Sequence, residues 1–163
     1  MGLADLVRGA GVAVLDRALR TRALARAPIT LYHRGLGRVL GHRMLLLEHT
    51  GRRSGLPREV VVEVVGHPGP GRFVVVSGFG ERAQWYRNVV ADPRVRISVG
   101  SRRSQPATAR VLPRDEAGEL LAAYIARHPA AWEQLGQVVE RALGRPVGPG
   151  DPPPLVEFRL GTS

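Results

Sequence analysis

Arg52, Arg53 and Arg58 stand within one short stretch, Leu45 to Arg58 (LLLEHTGRRSGLPR), with Gly51 and Gly55 on either side of the first pair. Guanidinium forks close on phosphate or carboxylate oxygens in two-point contacts. Flanking glycines let the backbone take positive φ and turn successive N–H groups toward one point. Together these are the parts of an anion cradle. Taken alone, a basic turn between glycines also describes an ordinary solvated loop, so the reading depends on other stretches agreeing with it.

A second junction agrees. The apolar run Phe73 to Ser77 ends in Ser77-Gly78-Phe79-Gly80, and a helix carrying Gln84, Trp85, Tyr86 and Asn88 is predicted to start directly after it. Two glycines let the backbone approach a flat ring closely, and the start of a helix offers free N–H groups to carbonyl or phosphate oxygens. Trp85 and Val89 fall one turn apart, which by itself describes a core-facing pair.

These residues need elements to hold them. Met44 to His49 is nearly all apolar and Arg58 to Val65 is rich in valine, so two strands joined by the arginine turn should pair antiparallel. Gly66 to Gly71, with Pro68 and Pro70, is predicted to turn the chain back into Phe73 to Ser77. Asp92-Pro93 stops the helix. Val95 to Val99 and Ala107 to Leu112 then alternate apolar and polar residues around a hairpin loop, SRRSQ. From Pro113 the pattern is helical as far as Pro129, with Asp115 and Glu116 in the first turn. A further helix runs from Ala130 to about Leu143, a Pro/Gly-rich segment from Gly144 to Pro154, and a last strand from Leu155 to Leu160. Upstream, Leu3 to about Ala27 and Pro28 to Leu40 read as helices, the first partly amphipathic with an arginine run that could lie on anionic lipid headgroups. The whole predicts one α+β domain over residues 1–163, an antiparallel sheet closing into a small barrel with flanking helices: an extension at 1–40, a core at 44–112, and helices with a closing strand at 113–163.

The totals narrow the function. Zero cysteines exclude disulfides, thiolate metal sites and a cysteine nucleophile, and no metal site is predicted. A balance of 24 basic against 14 acidic residues, all the basic ones arginine, gives a net charge of +10 and favours anionic partners. The early residues lack the apolar core of a signal peptide and no run is long enough to span a bilayer, so the sequence predicts a cytoplasmic protein, with peripheral membrane contact through the first helix as the variant.

Three motifs in order, Leu-Leu-x-x-Thr-Gly-Arg-Arg-Ser-Gly-x-Pro-Arg from Leu46, Val-Val-x-Ser-Gly-x-Gly from Val74 and Trp-Tyr-x-Asn-x-x-x-x-Pro from Trp85, resemble the deazaflavin-dependent nitroreductase family of flavin/deazaflavin oxidoreductases. The resemblance is close from about Leu36 to Leu112. It implies a split β-barrel of the FMN-binding type and coenzyme F420 as cofactor, with flavin mononucleotide as the second choice. Carried over, Thr50, Gly51, Arg52, Arg53, Ser54, Gly55 and Arg58 would hold the phosphate and acidic tail. Ser77, Gly78, Phe79 and Gly80 would contact the deazaflavin ring, and Trp85, Tyr86 and Asn88 would wall ring and phosphate. The implied reaction is hydride transfer from reduced deazaflavin to a quinone, an activated alkene such as an enone, or a nitro compound. Ser77 is the first candidate for contact with the substrate oxygen, and Tyr124 and His128 are further catalytic candidates.

The resemblance thins toward the C-terminus. Family members share a Tyr-Pro-x-Tyr-x-x-Tyr stretch on the substrate side, whereas His128-Pro129-Ala130-Ala131-Trp132-Glu133-Gln134 occupies it here, with Trp132 as a different wall. The resemblance therefore does not carry nitroimidazole reduction with it. Two alternatives stand beside the reductase: a deazaflavin or flavin binding protein without turnover, and a basic module for membrane or nucleic acid. Sparse aromatic content, 5%, and the lack of a nucleic-acid motif speak against the last. The motifs leave oligomeric state open.

Overall fold

The computed structural model describes residues 42–162, so both helices expected before His42 lie outside the described residues. Six strands form a closed barrel in which every neighbour is antiparallel. They are β1 (Met44–Thr50), β2 (Pro57–Gly69), β3 (Arg72–Val76), β4 (Arg94–Val99), β5 (Arg102–Val111) and β6 (Leu155–Leu160). Their order around the barrel is β1-β2-β3-β6-β5-β4, and β4 returns to β1 through Leu46 opposite Ser98 and Glu48 opposite Arg96. A short 3₁₀ turn, Gly80–Arg82, and helix α1 (Gln84–Ala91) lie between β3 and β4. Helices α2 (Arg114–Arg127) and α3 (Pro129–Leu143) lie between β5 and β6. This is the α+β barrel with flanking helices that the residue pattern predicts.

The alternation of a strand decides which residues fill the barrel. Leu45 and Leu47, Val62 and Val64, Phe73 and Val75, Val95, Ile97 and Val99, and Val156 and Phe158 share one buried cluster, the interior, which a six-stranded barrel fills with side chains. Ala83, Tyr86 and Val89 of α1 and its approach join that cluster. The helix therefore caps the barrel, and Trp85 packs partly buried beside it. The opposite face of the sheet, with Val65, Val74, Val76 and Leu155, is covered by Leu121 and Tyr124 of α2 and Val139 of α3.

Three boundaries differ from the sequence reading, each for a local reason. The turn expected over Gly66 to Gly71 shrinks to Pro70 and Gly71, because β2 continues to Gly69 through register shifts around Gly66. Such an irregular ladder tolerates Pro68, which has no N–H to donate. Likewise the SRRSQ loop is mostly strand. The turn is Gly100 and Ser101, and a bulge places Ser104 at φ 44. That strained residue is held by its N–H donating to Ser98 Oγ at 2.8 Å, and by Arg96, which donates to its hydroxyl at 2.8 Å and also to its carbonyl. Ser98 is thereby buried instead of lying on the wet face expected of β4. Finally, α1 starts at Gln84, after the 3₁₀ turn, instead of directly after Gly80.

An anion sits inside this arginine-rich shell. Glu157 of β6 is 1% exposed. Its carboxylate takes Arg72 Nε at 3.0 Å and Nη2 at 2.6 Å, with Arg159 Nη2 at 3.3 Å and Arg110 Nε at 3.6 Å. These arginines come from β3, β6 and β5, so one carboxylate holds together the outer face of three neighbouring strands. Removing it leaves cations facing one another, and we expect Glu157→Ala to cost about 2 kcal/mol in urea unfolding. The exposed partner of Arg110, Glu116, should matter much less when changed to alanine.

Packing makes a sharper demand at Gly118 in α2. A Cβ built there would run into the backbone carbonyl oxygen of Pro149, which cannot rotate away as a side chain could. Alanine is the better helix former by about 1 kcal/mol. The collision should nevertheless win, and Gly118→Ala is expected to lower stability by on the order of 2 kcal/mol by thermal or urea unfolding.

Candidate active site and family

The arginine turn closes on itself first. Gly51 N–H donates to Leu56 O at 2.8 Å, Gly55 N–H to Gly51 O at 2.8 Å, and Leu56 N–H to Ser54 Oγ at 3.2 Å. Gly55 takes φ +69, a conformation that favours glycine, and a Cβ on Gly51 would lie 2.7 Å from Ser54 Oγ, so a side chain there would displace the hydroxyl that accepts from Leu56 N–H. Three of the turn's N–H groups are thus engaged within it and that of Arg52 goes to Asn88, so anion contacts fall to the arginine side chains and the remaining N–H groups.

Those side chains are not equivalent. Arg52 reaches across to α1: its backbone N–H donates to Asn88 Oδ1 at 3.1 Å, and its Nη1 donates to the same oxygen at 2.9 Å and to Gln84 Oε1 at 3.0 Å. Arg53 and Arg58 are exposed, and neither makes an ion pair or hydrogen bond with the described residues. The space between turn and helix is a cleft of about 530 Å³. Of the residues predicted from sequence it is lined by Gly51, Arg52, Arg53, Ser54, Arg58, Phe79, Trp85 and Asn88. The cleft thus brings together members of all three motifs.

Sequence reasoning missed His49, Glu59, Val60 and Ala83 in that lining, and gave Gln84 no role. His49 carried a legible signal. It continues the interior face of β1 after Leu45 and Leu47, and a polar residue at such a position needs a partner. The partner is Asn88, whose Nδ2 lies 3.2 Å from His49 Nδ1. Burial, helped by the nearby Arg58 guanidinium, lowers the pKa of His49 to about 4, so the ring is neutral at ordinary pH.

The remaining predicted residues sit elsewhere. Thr50 ends β1 opposite Pro57, and Gly55 is exposed on the turn. Ser77 is fully buried, and its hydroxyl donates to Gly80 O at 2.7 Å. Gly78 lies beside Val139, and Gly80 takes φ +63 with Leu143 close over it. Gly80 and Tyr86 line a second cavity of about 540 Å³ with Leu143 and Pro152 to Pro154, and Phe79, 50% exposed, is shared between the two spaces. Burial and Glu81 raise the Tyr86 pKa. Tyr124 and His128, with ring centroids 5.4 Å apart, line a third cavity of about 650 Å³ beside His42 and His67, toward the far end of β2 from the arginines. Along a strand that separation is roughly 20 Å. Burial, with Glu63 nearby, raises the Tyr124 pKa, so the phenol keeps its proton. Trp132 packs on the outer cluster. Among the described residues no three His, Asp or Glu side chains gather as a metal site, and no helix is long and apolar enough to cross a membrane.

Comparison with known proteins gives this arrangement its relatives. No curated protein matches the chain. Among solved structures, an F420-H2 dependent reductase, FDR-A, is 23% identical with a TM-score of 0.52, covering 73% of this chain and 96% of that one. A chain described as a domain-swapped dimer is 22% identical, with a TM-score of 0.52 over 97% of this chain and 100% of that one. A protein of unknown function from Agrobacterium tumefaciens is 20% identical, with a TM-score of 0.50 over 84% of this chain and 55% of that one. At such identities these speak for the fold. The family evidence is separate: the model described as F420H(2)-dependent quinone reductase matches residues 25–147, which include the turn, the Ser77 loop, α1 and both later helices. The chain belongs to the F420H2-dependent quinone reductase family, an oxidoreductase family whose cofactor is coenzyme F420.

Proposed function

We propose that this protein transfers a hydride from reduced F420 to a small acceptor, a quinone first and an enone or nitro compound as alternatives, and that the cleft between turn and α1 holds the cofactor's phosphodiester and acidic tail. One observation carries the reading: Arg53 and Arg58 reach this cleft without an acid partner among the described residues, while Arg52 beside them is already oriented by Asn88 and Gln84. Unpaired guanidinium groups on a concave surface suit a multiply anionic ligand, and several of them suit a poly-glutamate tail better than the single phosphate of flavin mononucleotide.

When bound, the cofactor supplies a hydride-donating carbon in a flat ring, and the protein's work is to place it and exclude water. In this reading Thr50, Gly51, Ser54 and Gly55 set the shape of the turn, and Arg52, Arg53 and Arg58 bind the anionic oxygens. Phe79 and Trp85 offer apolar surface for the ring at the inner end of the cleft, with Asn88 at its floor. Gly78 and Gly80 let the loop lie close to it. Ser77, through its bond to Gly80 O, keeps that loop in place, and Tyr86 closes the barrel beneath. Tyr124 and His128 line a separate cavity that shares no residue with the cleft, so in this reading they do not touch the reacting atoms. Tyr124→Phe and His128→Ala should therefore leave cofactor binding and turnover close to wild type in the acceptor assay, and a selective loss of turnover would instead place the acceptor at that cavity.

Fluorescence titration with oxidised F420 checks the cradle. Replacing both Arg53 and Arg58 by alanine should weaken binding by roughly 100-fold or more, since each charge-assisted contact contributes about 1.5–3 kcal/mol. Wild-type affinity should also fall as salt rises. Oxidation of reduced F420, followed by its absorbance, should require an acceptor from a quinone, enone and nitroaromatic panel. Binding without turnover across the panel would favour the carrier alternative.

A further inference from the structure

Asn88 stands between two groups that together fix which way its amide points. Arg52 can only donate, and both its backbone N–H and its Nη1 meet Oδ1, so the NH₂ end is the one that faces His49. An NH₂ donates, therefore His49 Nδ1 accepts, and the neutral imidazole carries its proton on Nε2. His49 is only 7% exposed, yet it belongs to the lining of the cleft. Among the described residues the one buried side-chain polar atom without a partner is Glu48 Oε2. Nε2 has no hydrogen-bond partner among the described residues, and His49 is part of the cleft's lining.

We propose that His49 is both a positioning residue for Arg52, acting through Asn88, and the neutral hydrogen-bond donor of the cleft, offering Nε2–H to an anionic oxygen of the cofactor's phosphodiester or carboxylate tail. The donor half rests on the reading that the cleft takes the anionic part of F420. Arg53 and Arg58 are exposed, flexible donors that must be ordered on binding, whereas His49 is fixed on a strand at the barrel rim, so its donor is organised in advance. Its neighbours enforce the neutral form. Arg58 lies directly across on β2, Arg52 and Arg53 follow on the turn, and α1 presents only the uncharged Gln84 and Asn88, leaving Glu59 as the acid in the cleft lining. A second proton, on Nδ1, would set donor against donor at Asn88. Turning the Asn88 amide to relieve this would take the acceptor away from Arg52.

Substitutions separate the two roles. His49→Asn keeps an acceptor near the Nδ1 position and loses the Nε2 donor. His49→Gln carries a donor toward the Nε2 position, and His49→Leu has neither. With oxidised F420 as probe, His49→Asn should retain the wild-type melting temperature and bind roughly 10-fold more weakly, the effect of one hydrogen bond to an anion. His49→Gln should recover part of that affinity, and His49→Leu should lose more than either. Between about pH 8 and 6 wild-type affinity should stay level, because His49 does not titrate there. Wild-type affinity in His49→Asn and His49→Leu alike would overturn the proposal. If the wild type itself does not bind F420, the cofactor reading falls and takes the donor role with it. The positioning role is then read from nitrogen NMR of the free protein, where a His49 proton on Nδ1 instead of Nε2 would overturn it.

Discussion

One amide organises the site. The side chain of Asn88 accepts from the backbone and the guanidinium of Arg52 and turns its other end to His49, so a turn between two strands is fastened to a helix that caps the barrel. Asn88 can do this because α1 is itself fixed by Tyr86 and Val89, which enter the same apolar cluster as Leu45 and Leu47 of β1. A buried amide with both ends engaged permits one orientation only, and that orientation fixes the direction of Arg52 and the tautomer of His49. The cleft is therefore built from the interior outward. Packing sets the helix, the helix sets Asn88, and Asn88 sets the turn.

The same logic explains how a chain with so much positive charge has a cleft with arginines to spare. Several arginines elsewhere among the described residues are engaged with acids: Arg72, Arg110 and Arg159 surround Glu157, Arg114 and Arg145 hold Asp151, and Arg94 holds Asp92. Arg53 and Arg58 are differently placed, on a rim whose neighbours are neutral or cationic apart from Glu59. Local field, more than net charge, distinguishes a binding surface from a merely basic one.

Much of this could be read in the residues. Apolar, valine-rich or alternating runs located each strand of the barrel, and Leu155 to Leu160 was placed to the residue, where a Pro/Gly-rich segment gives way to an apolar run. The strands ran longer than expected at Gly66 and Ser104, where a bulge absorbs residues that look like loop. Bulges depend on the partner strand, and a single chain read in order does not show its partners. For the site, the arginine turn and the Trp85 helix were both visible, while their meeting across the barrel rim was not. His49 was passed over because its neighbours in sequence are a strand end and a turn. Its significance comes from Asn88, 39 residues later.

The most direct test of the account is a crystal structure of the protein with bound F420. The account predicts the phosphodiester and acidic tail between the β1–β2 turn and α1, within hydrogen-bonding distance of Arg53 and Arg58, with the ring against Phe79 and Trp85. A cofactor whose anionic end lies instead in the cavity beside Tyr124 and His128, leaving the arginine cleft to solvent, would contradict it.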